Sequence, residues 1–210
     1  MLLLSLLILC SILIVYRVWL CIPRGHAESL SLVRGTTVKT MVFFGSGGHT
    51  MEMCRLIARL ATERYQPVCF AIGHTDTTSV DKVRAMRVDM EKNARWLRIY
   101  RNREVKQSWL STLFTTIWSF LQGFYAVYRY RPQLLLCNGP GTCLSLCYSA
   151  FILNVLGVSN TKIVFVESFC RVRDLSLTGK LVLPIADKFI VQWPELLKKG
   201  SRMEYIGTLC

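Results

Sequence analysis

The sequence predicts a doubly wound α/β domain built on a parallel sheet and carried on an N-terminal membrane-spanning helix. Three observations predict it. Short apolar, β-branched runs alternate with helical patterns, and the runs are continuously apolar, as strands buried on both faces must be. Two glycine turns follow such runs directly and open helical patterns, at 45–50 and 138–142. The first 22 residues are apolar apart from Arg17, close to the ~20 residues needed to cross a bilayer. The chain has 210 residues, 52% of them hydrophobic, enough for one domain with a full core.

The elements follow in order. Residues 1–22 form the anchor, with Arg17 snorkelling to the interface. A cleaved signal peptide is the competing reading, but no basic segment precedes the apolar run and no small-x-small site follows it. Basic residues Arg17, Arg24, Arg34 and Lys39 follow the run and none precedes it, so the positive-inside rule puts the N-terminus outside and the domain in the cytosol. Residues 23–37 read as a polar linker and 38–210 as the domain. Strands are expected at 38–44, 67–72, 96–100, 134–137, 163–166, 189–192 and 205–206. Helices are expected at 50–62, 81–94 and about 142–156.

The stretch at about 107–128 carries no charge and has basic flanks. A second membrane crossing there would put the two halves of one sheet on opposite sides of the bilayer. Its period is that of an amphipathic helix, with Leu110, Leu113, Phe114, Ile117, Leu121 and Phe124 on one face and Ser111, Thr112, Thr115, Ser119 and Gln122 on the other. The expectation is an interfacial helix that touches lipid through Trp109, Leu113, Phe114, Ile117, Trp118, Leu121 and Phe124. The alternative is an ordinary core helix.

A net charge of +13 suits an anionic membrane surface or an anionic substrate. No nucleic-acid-binding motif accompanies it. The nine cysteines are scattered, and several sit in apolar runs, as reduced thiols do. Cys143 and Cys147 lie one helical turn apart without a histidine or carboxylate, so no metal site and no cofactor are expected.

Ligands of such sheets bind beyond the carboxyl ends of the strands. Four features gather there: the turn Gly45-Ser46-Gly47-Gly48-His49-Thr50, the turn Asn138-Gly139-Pro140-Gly141-Thr142, the Glu167-Ser168 pair with Arg171 and Arg173 after it, and His74-Thr75-Asp76. Glycine turns opening helices present backbone N–H groups to anions, and two side by side cradle a diphosphate. His49 or Glu167 is the candidate general base. The plain alternatives are tight turns and a Glu167–Arg171 ion pair. A nicotinamide site would need glycine or alanine where Thr50 stands, which disfavours an oxidoreductase.

The segments GSGGHT at 45–50, CNGPGTC at 137–143, VESFCR at 166–171 and VQWP at 191–194 resemble the membrane-anchoring subunit family of the two-subunit UDP-N-acetylglucosamine transferase of the dolichol pathway. The chain is similar, more distantly, to the N-terminal domain of the bacterial glycosyltransferase MurG. The resemblance implies a Rossmann-like N-terminal half of a GT-B fold and an inverting N-acetylglucosaminyltransferase whose donor-binding half is a separate soluble subunit. It implies that this chain recruits that subunit to the cytosolic face of the endoplasmic reticulum and is inactive alone. The acceptor is then dolichyl-diphosphate-N-acetylglucosamine, its diphosphate held by Gly45, Ser46, Gly47, Gly48, Asn138, Gly139, Gly141 and Thr142. His49 would deprotonate the sugar 4-hydroxyl, with Glu167 as alternative or support. The charge-poor tail with Ile206, Leu209 and Cys210 would dock the partner. A scaffold without catalytic residues is the second reading.

Overall fold

The computed structural model describes residues 2–23, 36–86, 91, 93–102, 109–200 and 202–207. All seven expected strands form: β1 Thr40–Phe44, β2 Val68–Gly73, β3 Arg95–Ile99, β4 Leu134–Asn138, β5 Lys162–Val166, β6 Lys188–Val191 and β7 Met203–Tyr205. They make one parallel sheet in the order β3-β2-β1-β4-β5-β6-β7. Because β1 has β2 on one side and β4 on the other, the connections wind in opposite directions from this pair. A crevice is left above the carboxyl ends of β1 and β4.

Side chains of the inner strands alternate between two cores, which is why β1, β2, β4 and β5 read as almost continuously apolar. Met41, Phe43, Leu135, Cys137 and Phe165 face one core. Val42, Phe44, Phe70, Leu136 and Val166 face the other. The second core is covered by α2 (Gly48–Ile57) and α3 (Thr78–Met86). The first is covered by α4 (Trp109–Tyr130), α5 (Cys143–Val155) and α6 (Leu177–Val182).

Several boundaries differ from the sequence expectation for local reasons. Helix α2 begins at Gly48 because the glycine turn is itself the helix start. Helix α3 begins at Thr78, where Asp76 accepts the backbone N–H groups of Thr78 and Ser79 as an N-cap. Its expected extension to residue 94 crosses 87–90 and 92, which lie outside the described residues. Helix α6 was not expected: six residues give no readable period, and a Ser176 side chain accepting from the Gly179 N–H starts it. A 3-10 turn at Pro194–Lys199 was not expected either.

Helix α4 is amphipathic as anticipated. Leu113, Phe114, Ile117, Trp118 and Leu121 are exposed, Phe114 at 73%, and the stripe continues through Tyr125 and Tyr128. Phe124 departs from the expectation. It lies at the flank of the stripe, beside Phe120, and packs half-buried on the core. Opposite the stripe, Gly123 meets the Ser145 backbone of α5, and Ser119 donates to the Tyr100 carbonyl oxygen.

Helix α1 (Leu2–Cys21) is long and apolar enough to span a membrane and is exposed along its span. Arg17 does not simply snorkel. Its guanidinium donates to the carbonyl oxygens of Val155 (2.9 Å) and Asn154 (2.7 Å), at the negative end of α5. The linker expected at 23–37 falls for the most part outside the described residues.

Candidate functional site

The two glycine turns meet at the crevice between β1 and β4. Gly47 takes φ +68°, a left-handed conformation that lets the chain turn from β1 into α2. No side chain caps the first turn of α2, so its N–H groups face outward from the positive end of the helix dipole. Ser46, Gly47 and Gly48 are exposed. Thr50, fully buried, closes the turn, its hydroxyl meeting the Gly45 carbonyl oxygen and lying 2.6 Å from the Ser79 hydroxyl. Asp76 accepts from the Ser79 hydroxyl at 2.5 Å, so the Asp76 loop braces the 45–50 turn.

The second turn packs directly on the first. Gly139 (φ +55°) lies so close to the His49 ring that a Cβ there would collide with Cε1. Asn138, fully buried, donates to the His49 carbonyl oxygen at 2.9 Å and reaches the Glu52 carboxylate at 3.4 Å. Its side chain ties the two turns together and does not face the opening.

A cleft of about 300 Å³ lies on one side of this junction, lined by Gly48, His49, Glu52, Gly139, Glu167, Ser168 and Arg171. A second, of about 250 Å³, lies on the other, lined by Gly45, Ser46, Gly73, Arg101, Pro140, Gly141 and Thr142. Each carries one arginine, and Arg101 is a residue that sequence reasoning missed.

Glu52 is the more important omission. It stands one turn after His49 on α2, with Oε2 3.8 Å from His49 Nδ1, and accepts from the Ser168 hydroxyl at 2.8 Å. Burial pushes the Glu52 carboxyl up, but His49 and the Ser168 hydroxyl outweigh it and hold the group below its ordinary value. A histidine followed three residues later by an acid at a helix start was the signal available in the sequence. His49 Nδ1 is buried without a hydrogen-bond partner, and its side chain as a whole is 34% exposed. A fixed carboxylate on one ring nitrogen is the arrangement that readies the other to move a proton.

Glu167 also lines the cleft but is 0% exposed. Its Oε2 accepts the backbone N–H (3.0 Å) and hydroxyl (3.1 Å) of Ser176, and its Oε1 accepts the Ser168 N–H (3.1 Å). Its partners are therefore the start of α6 and not Arg171. His74 stacks on Tyr100, and Asp76 caps α3, so both support the fold. Ile206 is exposed just beyond the edge strand β7, while Leu209 and Cys210 lie outside the described residues. The Cys143 and Cys147 thiols gather with Cys137 within 4.8 Å, all buried, and no histidine or carboxylate joins them among the described residues. Burial raises the Cys137 and Cys143 thiols, as it does core thiols generally.

Comparison with known proteins gives a consistent result. Residues 40–209 match a family model described as "Oligosaccharide biosynthesis protein Alg14 like". The chain is 38% identical over 207 residues to the human UDP-N-acetylglucosamine transferase subunit ALG14, covering 95% of this chain and 93% of that protein. It is 43% identical over 173 residues to the Schizosaccharomyces pombe subunit of the same name, covering 80% and 82%. Among solved structures it is similar in fold to Acinetobacter baumannii MurG (TM-score 0.55, 12% identity, 75% of this chain and 42% of that one). It is also similar in fold to a UDP-N-acetylglucosamine 2-epimerase (TM-score 0.58, 14% identity, 82% and 49%). It spans less than half of each of these structures, and matches the N-terminal half of a GT-B fold.

Proposed function

Since the chain belongs to the Alg14-like family of oligosaccharide biosynthesis proteins, we propose that it is the membrane-anchored, acceptor-binding subunit of a UDP-N-acetylglucosamine transferase. The acceptor is a dolichyl-diphosphate-linked N-acetylglucosamine presented at the cytosolic face of the endoplasmic reticulum. The second sugar of the N-glycan precursor comes from a soluble partner subunit that binds the nucleotide sugar. The observation that carries this reading is the junction of the two glycine turns, with the His49 ring wedged between the uncapped start of α2 and Gly139.

In this reading the exposed amides of residues 46–48 and the 139–141 turn hold the acceptor diphosphate, with Arg171 and Arg101 adding positive charge on either side. His49 takes the proton of the sugar 4-hydroxyl as it attacks the anomeric carbon of the donor. Glu52 orients the imidazole and stabilises the imidazolium that forms. A single displacement with one base inverts the anomeric centre, and the departing nucleoside diphosphate is stabilised by the partner. Glu167 fixes the cleft wall through Ser176 instead of moving a proton. The exposed stripe of α4, from Leu113 to Leu121, rests in the headgroup region beside the anchor, where the polyprenyl chain leaves the bilayer.

A scaffold without catalytic residues is favoured by one observation, the commitment of both Glu167 oxygens to structural hydrogen bonds. Transfer assays on the reconstituted pair separate the two readings. If His49→Ala and Glu52→Gln leave turnover unchanged while partner recruitment persists, the scaffold reading holds.

A further inference from the structure

One ligand-sized recess of the domain lies away from the glycine turns. It is a groove of about 410 Å³ between the edge strand β3 and helix α4. That volume lies within the ~300–1,000 Å³ typical of small-molecule sites. Leu97 and Ile99 of β3 form its floor, and Trp118 and Tyr125 of α4 form its wall. Arg95, Arg98 and Arg129 line it as well, with no carboxylate among the described lining residues. All three arginines are exposed, and among the described residues Arg98 donates to the His74 carbonyl oxygen at 3.1 Å.

The geometry points to a binding site for an anionic membrane lipid, one acyl chain along Leu97 and Ile99 and the headgroup on the arginines. Two observations select that occupant. The lining is apolar below and purely basic at its charged positions, which complements an anionic amphiphile and disfavours a neutral one. The groove also shares Trp118, Leu121 and Tyr125 with the exposed stripe of α4, so it opens onto the face assigned to the bilayer. The inference rests on that membrane-surface assignment. It adds a specific lipid site along the β3 edge, distinct from the acceptor cradle at the carboxyl ends of β1 and β4, and gives part of the +13 net charge a definite task.

The test uses the full chain in vesicles containing phosphatidylcholine or phosphatidylserine with a photoreactive acyl chain, adducts being mapped by mass spectrometry. Phosphatidylserine is expected to label the β3 and Trp118–Tyr125 segments in preference to phosphatidylcholine. The Arg95→Gln/Arg129→Gln variant is expected to lose roughly fivefold in labelling per arginine removed, on the order of twentyfold for the pair. Both positions are exposed, and an unchanged melting temperature confirms the fold. Equal labelling by both lipids, confined to Leu113–Ile117 and insensitive to the variant, overturns the groove site and leaves the membrane surface intact. No labelling of α4 by either lipid overturns both. Labelling abolished by adding the soluble partner subunit assigns the groove to that protein instead.

Discussion

The imidazole Nδ1 of His49 stands 3.8 Å from the Glu52 carboxylate, whose other oxygen accepts a hydrogen bond from Ser168 at the end of β5. That relationship joins α2 to the far side of the crevice and gives the only histidine of the glycine turns a fixed anionic neighbour. At 3.8 Å the pair is outside hydrogen-bond reach. Catalytic contacts of this kind commonly tighten only when substrate is bound.

Glu52 also carries a pH dependence. Its folded carboxyl is held below its ordinary value, so the ionised form contributes stability above the unfolded value and loses it as pH falls through the folded one. Wild type is expected to melt higher than Glu52→Gln at pH 6. The gap should close below about pH 4.5, toward the lowered folded value. Melting temperatures across pH 6 to 3.5 check this, and a gap that widens on acidification contradicts it.

Gly139→Ala adds a Cβ that collides with the His49 ring at a residue with φ +55°. Backbone strain of this type costs about 1–3 kcal/mol. The expected result is a lower melting temperature together with loss of transfer. In the Gly139→Ala/His49→Ala double variant the ring is gone, so part of the stability returns while transfer stays lost.

Arg17 holds α1 to the C-terminal carbonyls of α5. Hydrogen bonds from a charged donor contribute about 1.5–3 kcal/mol. Arg17→Leu is expected to lower the melting temperature of the detergent-solubilised chain and leave it fully membrane-integrated on alkaline extraction. Extraction of the variant into the soluble fraction would show that Arg17 acts in insertion instead of docking.

The exposed α4 stripe is tested by Phe114→Gln/Ile117→Gln/Leu121→Gln. Full burial of one such side chain is worth roughly 1.5–3 kcal/mol, so partial immersion of three predicts a rise in KM for a long-chain lipid acceptor of at least about tenfold. The kcat with a short-chain acceptor in detergent is expected to stay the same. A fall in that kcat would place the stripe in the fold of the site.

Much of this was legible in the sequence, and the failures share a cause. Continuous apolar runs located the inner strands β1, β2, β4 and β5, because a sheet covered on both faces leaves no alternation to misread, while the expected 205–206 shares only Tyr205 with β7. The glycine turns announced the crevice, since few other residues take φ +68° at Gly47 or tolerate the His49 ring against Gly139. What stayed hidden depends on contacts between distant segments. Glu52 gains its meaning only where the chain after β5 brings Ser168 to it, and the hydrogen bonds that hold Glu167 come in part from Ser176, nine residues on at the start of a helix with no readable period. Arg17 reads from sequence alone as a snorkelling residue because nothing local shows that α5 ends beside it.

The central claim is that His49 moves the proton at a diphosphate cradle made by this chain. It is tested most directly by transfer of N-acetylglucosamine from its uridine diphosphate donor to a short-chain polyprenyl-diphosphate acceptor, using the chain reconstituted with its soluble partner. His49→Ala is predicted to lower kcat by about 10²–10⁴-fold, the range of a lost general base, with co-purification of the partner unaltered. Unchanged turnover with an intact complex would contradict the account and place the chemistry in the partner.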